Sequence, residues 1–235
     1  MVEVVGHTGI FDYVEFVAEY APFDLNSLDN FCRAVELFDM SAIIKVDAQP
    51  RQFLAQRGIG SGFQGVLFSD CRTVEEVRES IRAVKPETPD AGGLNGVATR
   101  RITYMGYGGS PQYAQALNEI VVALMIEKKP AVDQLDEILS LGNIDMIQWG
   151  PADYALSIGR PGEWHQPDIK AVERKVIEAS LKKGIHPRAE IESVDQAKYY
   201  LDLGVRHFSL GTDIKILFDW LKGNGEKLRQ ALSGS

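Results

Sequence analysis

At 235 residues the sequence is longer than most single domains but close to the roughly 250 residues of an α/β barrel. With 45% hydrophobic and 25% charged residues it can build a packed core, which excludes wholesale disorder. A formal net charge of -8 excludes the basic footprint of a nucleic-acid binder, and no polybasic run suits an anionic membrane.

Residues 1–6 lack a basic n-region and a long apolar h-region, and no apolar run approaches the ~20 residues of a membrane span. The 2 cysteines, Cys32 and Cys71, show no metal-ligand spacing and are expected as reduced thiols. A cytoplasmic protein is expected.

In chain order, the first apolar run is Phe11–Ala18. A helical pattern over Leu25–Phe38 then puts Leu28, Phe31, Val35 and Phe38 on one face, with Asp24 as N-cap. Ala42–Val46 and Gly65–Phe68 read as strands, and Thr73–Val84 as a helix with Val74, Val77 and Ile81 on one side. The segment Pro86–Pro111 is rich in Pro, Gly, Thr and Asn, carries Arg100, Arg101, Tyr104 and Tyr107, and reads as a long functional loop. Strands Val121–Ile126 and Asp145–Trp149 flank a helix at Val132–Leu141. Helix Ile169–Lys183 ends at Gly184, strand Pro187–Ile191 follows, helix Val194–Leu203 ends at Gly204, and His207–Leu210 is the last strand. An amphipathic tail covers Ile214–Leu232.

Several of the apolar runs lack clean alternation, as parallel strands buried on both faces do. Their alternation with helices predicts one (β/α)8 TIM-type barrel spanning 1–235, with a helical tail from about 214 to 235.

In such a barrel, chemistry sits where strands end. Glu127 follows Val121–Ile126, and Asp153 follows Met146–Trp149 across Gly150-Pro151-Ala152. Two carboxylates plus waters suit Mg2+ or Mn2+. Spacing alone gives more weight to a plainer reading, in which Glu127 pairs with Lys128 or Lys129 and Asp153 caps a turn.

Leu124-Met125-Ile126-Glu127, followed by Gly150-Pro151-Ala152-Asp153-Tyr154-Ala155-Leu156-Ser157-Ile158-Gly159, closely resembles the 4-hydroxy-2-oxoheptanedioate aldolase and citrate lyase β-subunit family. Weaker similarity runs through Phe11–Val14, Glu19–Pro22, Gly204, Gly211 and Asp213. The resemblance implies a barrel of the phosphoenolpyruvate/pyruvate class and a class II pyruvate aldolase acting on a 4-hydroxy-2-oxo acid. It implies Mg2+ or Mn2+, with Co2+ as a further option, on Glu127 and Asp153. It also implies a homo-oligomer, trimer or hexamer, whose C-terminal helices are exchanged between subunits.

By the same resemblance, Gly150, Pro151 and Ala152 lie against the pyruvate-sized substrate. Lys45 replaces the family arginine that steadies the enolate, keeping the charge but losing the fork. Met125 replaces a glutamine, and Arg100 or Arg101 holds a second carboxylate at the distal end of the substrate. Tyr20 stands in place of the family's acid–base histidine, and the aspartate that helps it is missing from Gln56–Gly62. Tyr20 is then an acid or base, if Lys45 or the metal lowers its pKa from about 10, or an aromatic wall of the pocket. Lys45 has a plainer alternative in an ion pair with Asp47 or Glu19. The four histidines are expected to be structural, and Asp213 to be a helix N-cap.

Family members begin with a strand and helix before the motif seen here at Phe11-Asp12. Either this barrel lacks or alters its first strand, or Met1–Gly6 supplies a remnant of it, or the sequence starts late. Two other functional readings stay open. One is a metal-dependent oxo-acid hydrolase, decarboxylase or isomerase, with a larger substrate near Met125 and Trp149. The other is a non-catalytic barrel that binds an acidic metabolite.

Overall fold

The computed structural model describes residues 1–97 and 108–233. Seven parallel strands form one sheet in sequence order: β1 (Tyr13–Val17), β2 (Ser41–Val46), β3 (Gly65–Phe68), β4 (Val121–Ile126), β5 (Met146–Trp149), β6 (His186–Ile191) and β7 (His207–Leu210). They match the predicted strands to within two residues at either end. The helices are α1 (Val2–Gly6), α2 (Leu25–Glu36), α3 (Arg51–Ser61), α4 (Val74–Val84), α5 (Pro111–Asn118), α6 (Lys129–Asp133), α7 (Leu135–Ile138), α8 (Pro151–Ser157), α9 (Pro167–Lys182), α10 (Ala197–Asp202) and α11 (Asp213–Ser233). Residues 2–6 are therefore helical and supply no strand remnant ahead of β1.

Successive side chains on a strand point to opposite faces, so parity assigns each residue to the helices or to the barrel interior. Ile44, Val66, Phe68, Val122, Leu124, Ile126 and Ile147 join the core between sheet and helices. Ile43, Leu67, Ala123, Met125 and Met146 form a smaller apolar cluster on the other face. Continuing that parity past the apolar cluster brings Lys45 on β2, Glu127 after β4 and Gly150 after β5 to the mouth. The strand register puts Lys45 beside Leu67, Leu67 beside Ala123, and Met125 beside Gln148.

The sheet curls until its edges approach. The Tyr13 phenol on β1 donates to the Phe208 carbonyl on β7 at 2.8 Å, and Arg188 on β6 pairs with Glu15 on β1. Among the described residues no strand pairs with the free edges of β1 and β7. The described residues thus supply seven of the eight strands of the predicted barrel, as the expectation of a lacking or altered first strand allows.

Helix ends follow local chemistry. The Asp24 carboxylate accepts from the Ser27 N–H at 2.9 Å and starts α2. Thr73 and Glu76 form a reciprocal capping box at α4. Gly184 and Gly204, at φ +74° and +96°, end α9 and α10 in a conformation that costs glycine little. Asp213 opens α11 and accepts from the Ile214 N–H at 2.7 Å. No residue of α11 is buried. Both cysteines are buried, and burial pushes the Cys71 thiol up to about 11. Among the described residues no helix is long and apolar enough to cross a membrane.

Candidate active site

Glu127 is the best-defined element of the mouth. It follows a strand whose last five residues are buried, and is itself only 2% exposed. Its carboxylate accepts the backbone N–H of Asp70 at 2.8 Å. Burial pushes its pKa up; the Asp70 N–H and the Lys45 charge oppose that, and the nearby charge of Asp153 adds to it.

Gly150 makes room for this carboxylate. A Cβ at position 150 would lie 2.6 Å from both Cβ and Oε2 of Glu127, and 3.0 Å from Cε of Met125. Only a residue without a side chain fits there. Pro151 then supplies a fixed φ at the first position of α8, and Asp153 falls in its first turn, where the helix dipole favours an acid.

Asp153 does not stand free. Its Oδ1 accepts from the Lys128 ammonium at 2.7 Å, and the same ammonium lies 2.8 Å from Asp70 Oδ1. Asp70 also accepts the Tyr20 phenol on Oδ2 at 3.2 Å, and Arg72 approaches Oδ1 at 3.5 Å. Burial works against the Asp70 charge, but Lys128, Tyr20 and Arg72 outweigh it and hold the carboxyl below its usual range. For Lys128 the cost of burial is likewise outweighed, by Asp153 and Asp70, and its pKa rises. Asp70 and Tyr20 both adopt left-handed backbone angles, φ +55° and +59°, which are uncommon outside glycine and cluster at functional sites.

The plainer alternative for Glu127 is therefore wrong in its partners. Lys128 bonds Asp153 and Asp70, and Lys129 bonds Asp133. Lys45 pairs with Glu19 at 2.5 Å rather than with Asp47, which instead accepts the Tyr20 N–H at 3.1 Å. Burial pulls the Lys45 pKa down, but contact with Glu19 and the charges of Glu127 and Glu15 leave it raised, so it is a fixed cation.

Tyr20 departs from expectation. It is 82% exposed, and the Asp70 charge and hydrogen bond push its pKa above 10 rather than below. The phenol is therefore a proton donor at neutral pH and a poor base. Met125 is buried below Gly150, on the interior face of the sheet. Trp149 belongs to the opposite face, packed on Tyr154 at a ring distance of 4.8 Å, so it cannot line a pocket shared with Met125. Arg100 and Arg101 lie outside the described residues. Gln56 donates to the Ala83 and Leu94 carbonyls, a structural role. His7 packs on Phe38, and His186 on His207.

Oxygen donors of this kind fit a hard divalent ion. Two carboxylates close enough for one to raise the other's pKa, one of them buried, gain from a cation between them. Among the described residues no three His, Cys, Asp or Glu side chains converge as a ligand set, so the protein would offer two and leave other positions to water or substrate. Deeper in the barrel, Arg188 pairs with Glu15, and Gln148 donates to Glu190 at 3.2 Å.

Asp70 and Lys128 were not singled out from sequence. Asp70 follows β3 as Glu127 follows β4, so the search for polar residues after strands would have found it. Lys128 is adjacent to Glu127, but its reach to two neighbouring loops is visible only in three dimensions.

Residues 1–219 match the HpcH/HpaI aldolase/citrate lyase profile. The chain is 29% identical over 220 residues to a pyruvate aldolase of Rhizobium etli, covering 92% of this chain and 83% of that one. It is 26% identical over 209 residues to a 4-hydroxy-2-oxo-heptane-1,7-dioate aldolase of Escherichia coli, covering 88% and 78%. Its fold superposes on an HpcH/HpaI aldolase/citrate lyase family protein from Burkholderia cenocepacia with a TM-score of 0.86, at 24% identity over 97% of this chain and 89% of the other. A profile that spans nearly the whole chain, joined to this fold, places the protein in the HpcH/HpaI aldolase/citrate lyase family.

Proposed function

We propose that the protein is a divalent-metal-dependent carbon–carbon lyase that releases pyruvate, or a near relative, from a 4-hydroxy-2-oxo acid. What carries this reading is that Glu127 and Asp153 follow the adjacent strands β4 and β5, with Gly150, three residues before Asp153, packed against the Glu127 carboxylate. The names of the pyruvate and 4-hydroxy-2-oxo-heptane-1,7-dioate aldolases among its relatives support the same class of substrate.

Glu127 and Asp153 would hold Mg2+, Mn2+ or Co2+. When bound, such an ion supplies Lewis-acid polarisation of a keto oxygen. Lys45 adds a fixed positive charge for the enolate oxygen, with less directional control than an arginine fork would give. Gly150, Pro151 and Ala152 present backbone to the three-carbon unit, with Met125 as an apolar floor. Tyr20, protonated at neutral pH, is suited to delivering a proton to the enolate carbon. Arg100 or Arg101 would meet the distal end of a longer substrate. We further assign the protein to the cytoplasm as a homo-oligomer, trimer or hexamer. The apolar stripe of α11 (Ile214, Leu217, Phe218, Leu221, Leu228, Leu232) is exposed in the single chain and would pack on a neighbouring subunit.

The test is pyruvate release from a panel of 4-hydroxy-2-oxo acids with Mg2+, Mn2+ or Co2+. Metal-dependent pyruvate that EDTA removes is the expected result. No pyruvate from any of the panel, while a control aldolase turns over, defeats the reading.

A second reading rests on the raised Tyr20 pKa, which leaves no evident base for the 4-hydroxyl. The protein would then decarboxylate a 2-oxo acid that carries a carboxylate on C3: the bond to carbon dioxide breaks, its electrons form the enolate, and the Tyr20 hydroxyl gives a proton to the carbon, with no base required. Carbon dioxide release from such an acid, with no cleavage of any 4-hydroxy-2-oxo acid, would identify it.

A further inference from the structure

We propose that Lys128 is a built-in counter-cation that competes with the divalent ion for Asp153, so that metal entry requires the ammonium to withdraw onto Asp70. This rests on the metal-binding reading given above.

The geometry is specific. The Lys128 ammonium bridges carboxylates from two different loops, Asp70 after β3 at 2.8 Å and Asp153 in α8 at 2.7 Å. Lys128 and Asp70 are 12% and 9% exposed, so that bond is not a solvated surface pair, whereas Asp153 is 51% exposed and is the partner that can turn away. The occupied oxygen, Asp153 Oδ1, belongs to the carboxylate that would have to turn to a metal. A monovalent cation and a divalent ion cannot both take a close position on that one oxygen without strong repulsion.

The surroundings give the ammonium somewhere to go. Asp70 is pinned by its own backbone bond to Glu127 and by the Tyr20 phenol, so it stays in place when Asp153 turns away. Charge balance agrees. Around the mouth Glu19, Asp70, Glu127 and Asp153 face Lys45, Lys128 and Arg72, four acids against three cations. Most of the negative charge is thus countered before any divalent ion arrives, so an ion that takes Asp153 must displace the cation already there. Glu127, which contacts neither Lys128 nor Lys129, is the ligand left available for first contact.

The experiment is a Mn2+ titration of the full chain, read by electron paramagnetic resonance of free Mn2+, which does not depend on turnover. Lys128→Met keeps the apolar stem and removes the ammonium. It should tighten Mn2+ binding roughly tenfold or more. Asp70→Asn removes the place to which the ammonium retreats and should weaken binding. Arg72→Met, which removes a cation touching only Asp70, serves as a control for simple long-range charge. In about 0.5 M KCl, where screening erases long-range effects, the gain in Lys128→Met should persist while any gain in Arg72→Met disappears. If Lys128→Met, folded by circular dichroism, binds Mn2+ no better than wild type, or binds it more weakly, Lys128 is a pin for Asp153 and the proposal falls while the metal site stands. If Lys128→Met does not fold, an unchanged or tighter affinity in Asp70→Asn overturns the proposal. If neither wild type nor Lys128→Met binds Mn2+ and both are folded, the metal reading fails and takes this proposal with it.

Discussion

A Cβ on residue 150 would come within 2.6 Å of both the Cβ and an Oε of Glu127. The clash is with the root of a buried side chain, so it cannot be relieved by rotating a flexible end. Gly150→Ala should cost ~1–3 kcal/mol of stability, the usual range for overpacking. It should also turn the carboxylate away from the mouth and abolish Mn2+ binding. A thermal melt alongside a Mn2+ titration checks both effects. An alanine variant as stable and as tight as wild type would mean that the loop is much looser than described.

Tyr20 offers a different kind of change. It is exposed, and it loses one hydrogen bond when its hydroxyl is removed. Tyr20→Phe should leave stability within about 0.5 kcal/mol of wild type. If the phenol delivers a proton, kcat should fall by about 10²-fold with KM nearly constant. Steady-state kinetics with the best oxo-acid substrate decide it; an unchanged kcat makes Tyr20 a wall of the pocket.

His207 on β7 predicts a pH effect on stability. Burial lowers its pKa from 6.5, and the neighbouring His186 and Arg188 lower it further. The unfolded chain therefore takes up a proton before the native one as pH falls through 6.5. Stability contributed by neutral His207 is fully present above that value and declines below it. The Tm of wild type should drop between about pH 7 and pH 5, and His207→Gln should flatten that part of the curve. A variant with the same slope as wild type would remove His207 from the account.

The tail makes a prediction about assembly. Leu217 and Leu221 lie one turn apart on the exposed apolar stripe of α11. Changing both to Glu should convert the proposed oligomer to a monomer by light scattering, with little loss of helix by circular dichroism. A wild-type protein that is already monomeric would leave the stripe without the occupant assigned to it.

The strands were legible because parallel strands concentrate Val, Ile and Leu into short runs, and the seven runs became seven strands. The positions of Glu127 and Asp153 just past strands were legible from those runs, but their proposed role came from the family resemblance, since spacing alone favoured a plainer reading. The helices α3 and α8 were not. α3 carries Gly58 and Gly60 and has a weakly amphipathic pattern, and α8 begins on a proline directly after a strand. The Asp70 network was hidden for another reason. It depends on a backbone N–H, a left-handed φ and the proximity of three loops, none of which has a composition signature. The Glu15–Arg188 pair joins residues 173 apart in sequence, on strands that meet only because the sheet curls.

Six strand boundaries in this sheet are held by ladders of peptide hydrogen bonds, which fix neighbouring strands about 4.8 Å apart. The seventh, where Tyr13 reaches Phe208, is spanned by side chains. The circumference of the barrel is therefore adjustable at one seam. Substitution at Tyr13 would loosen that seam while leaving Lys45, Glu127 and Asp153 in place, and it gives selection a way to retune the substrate without rebuilding the site.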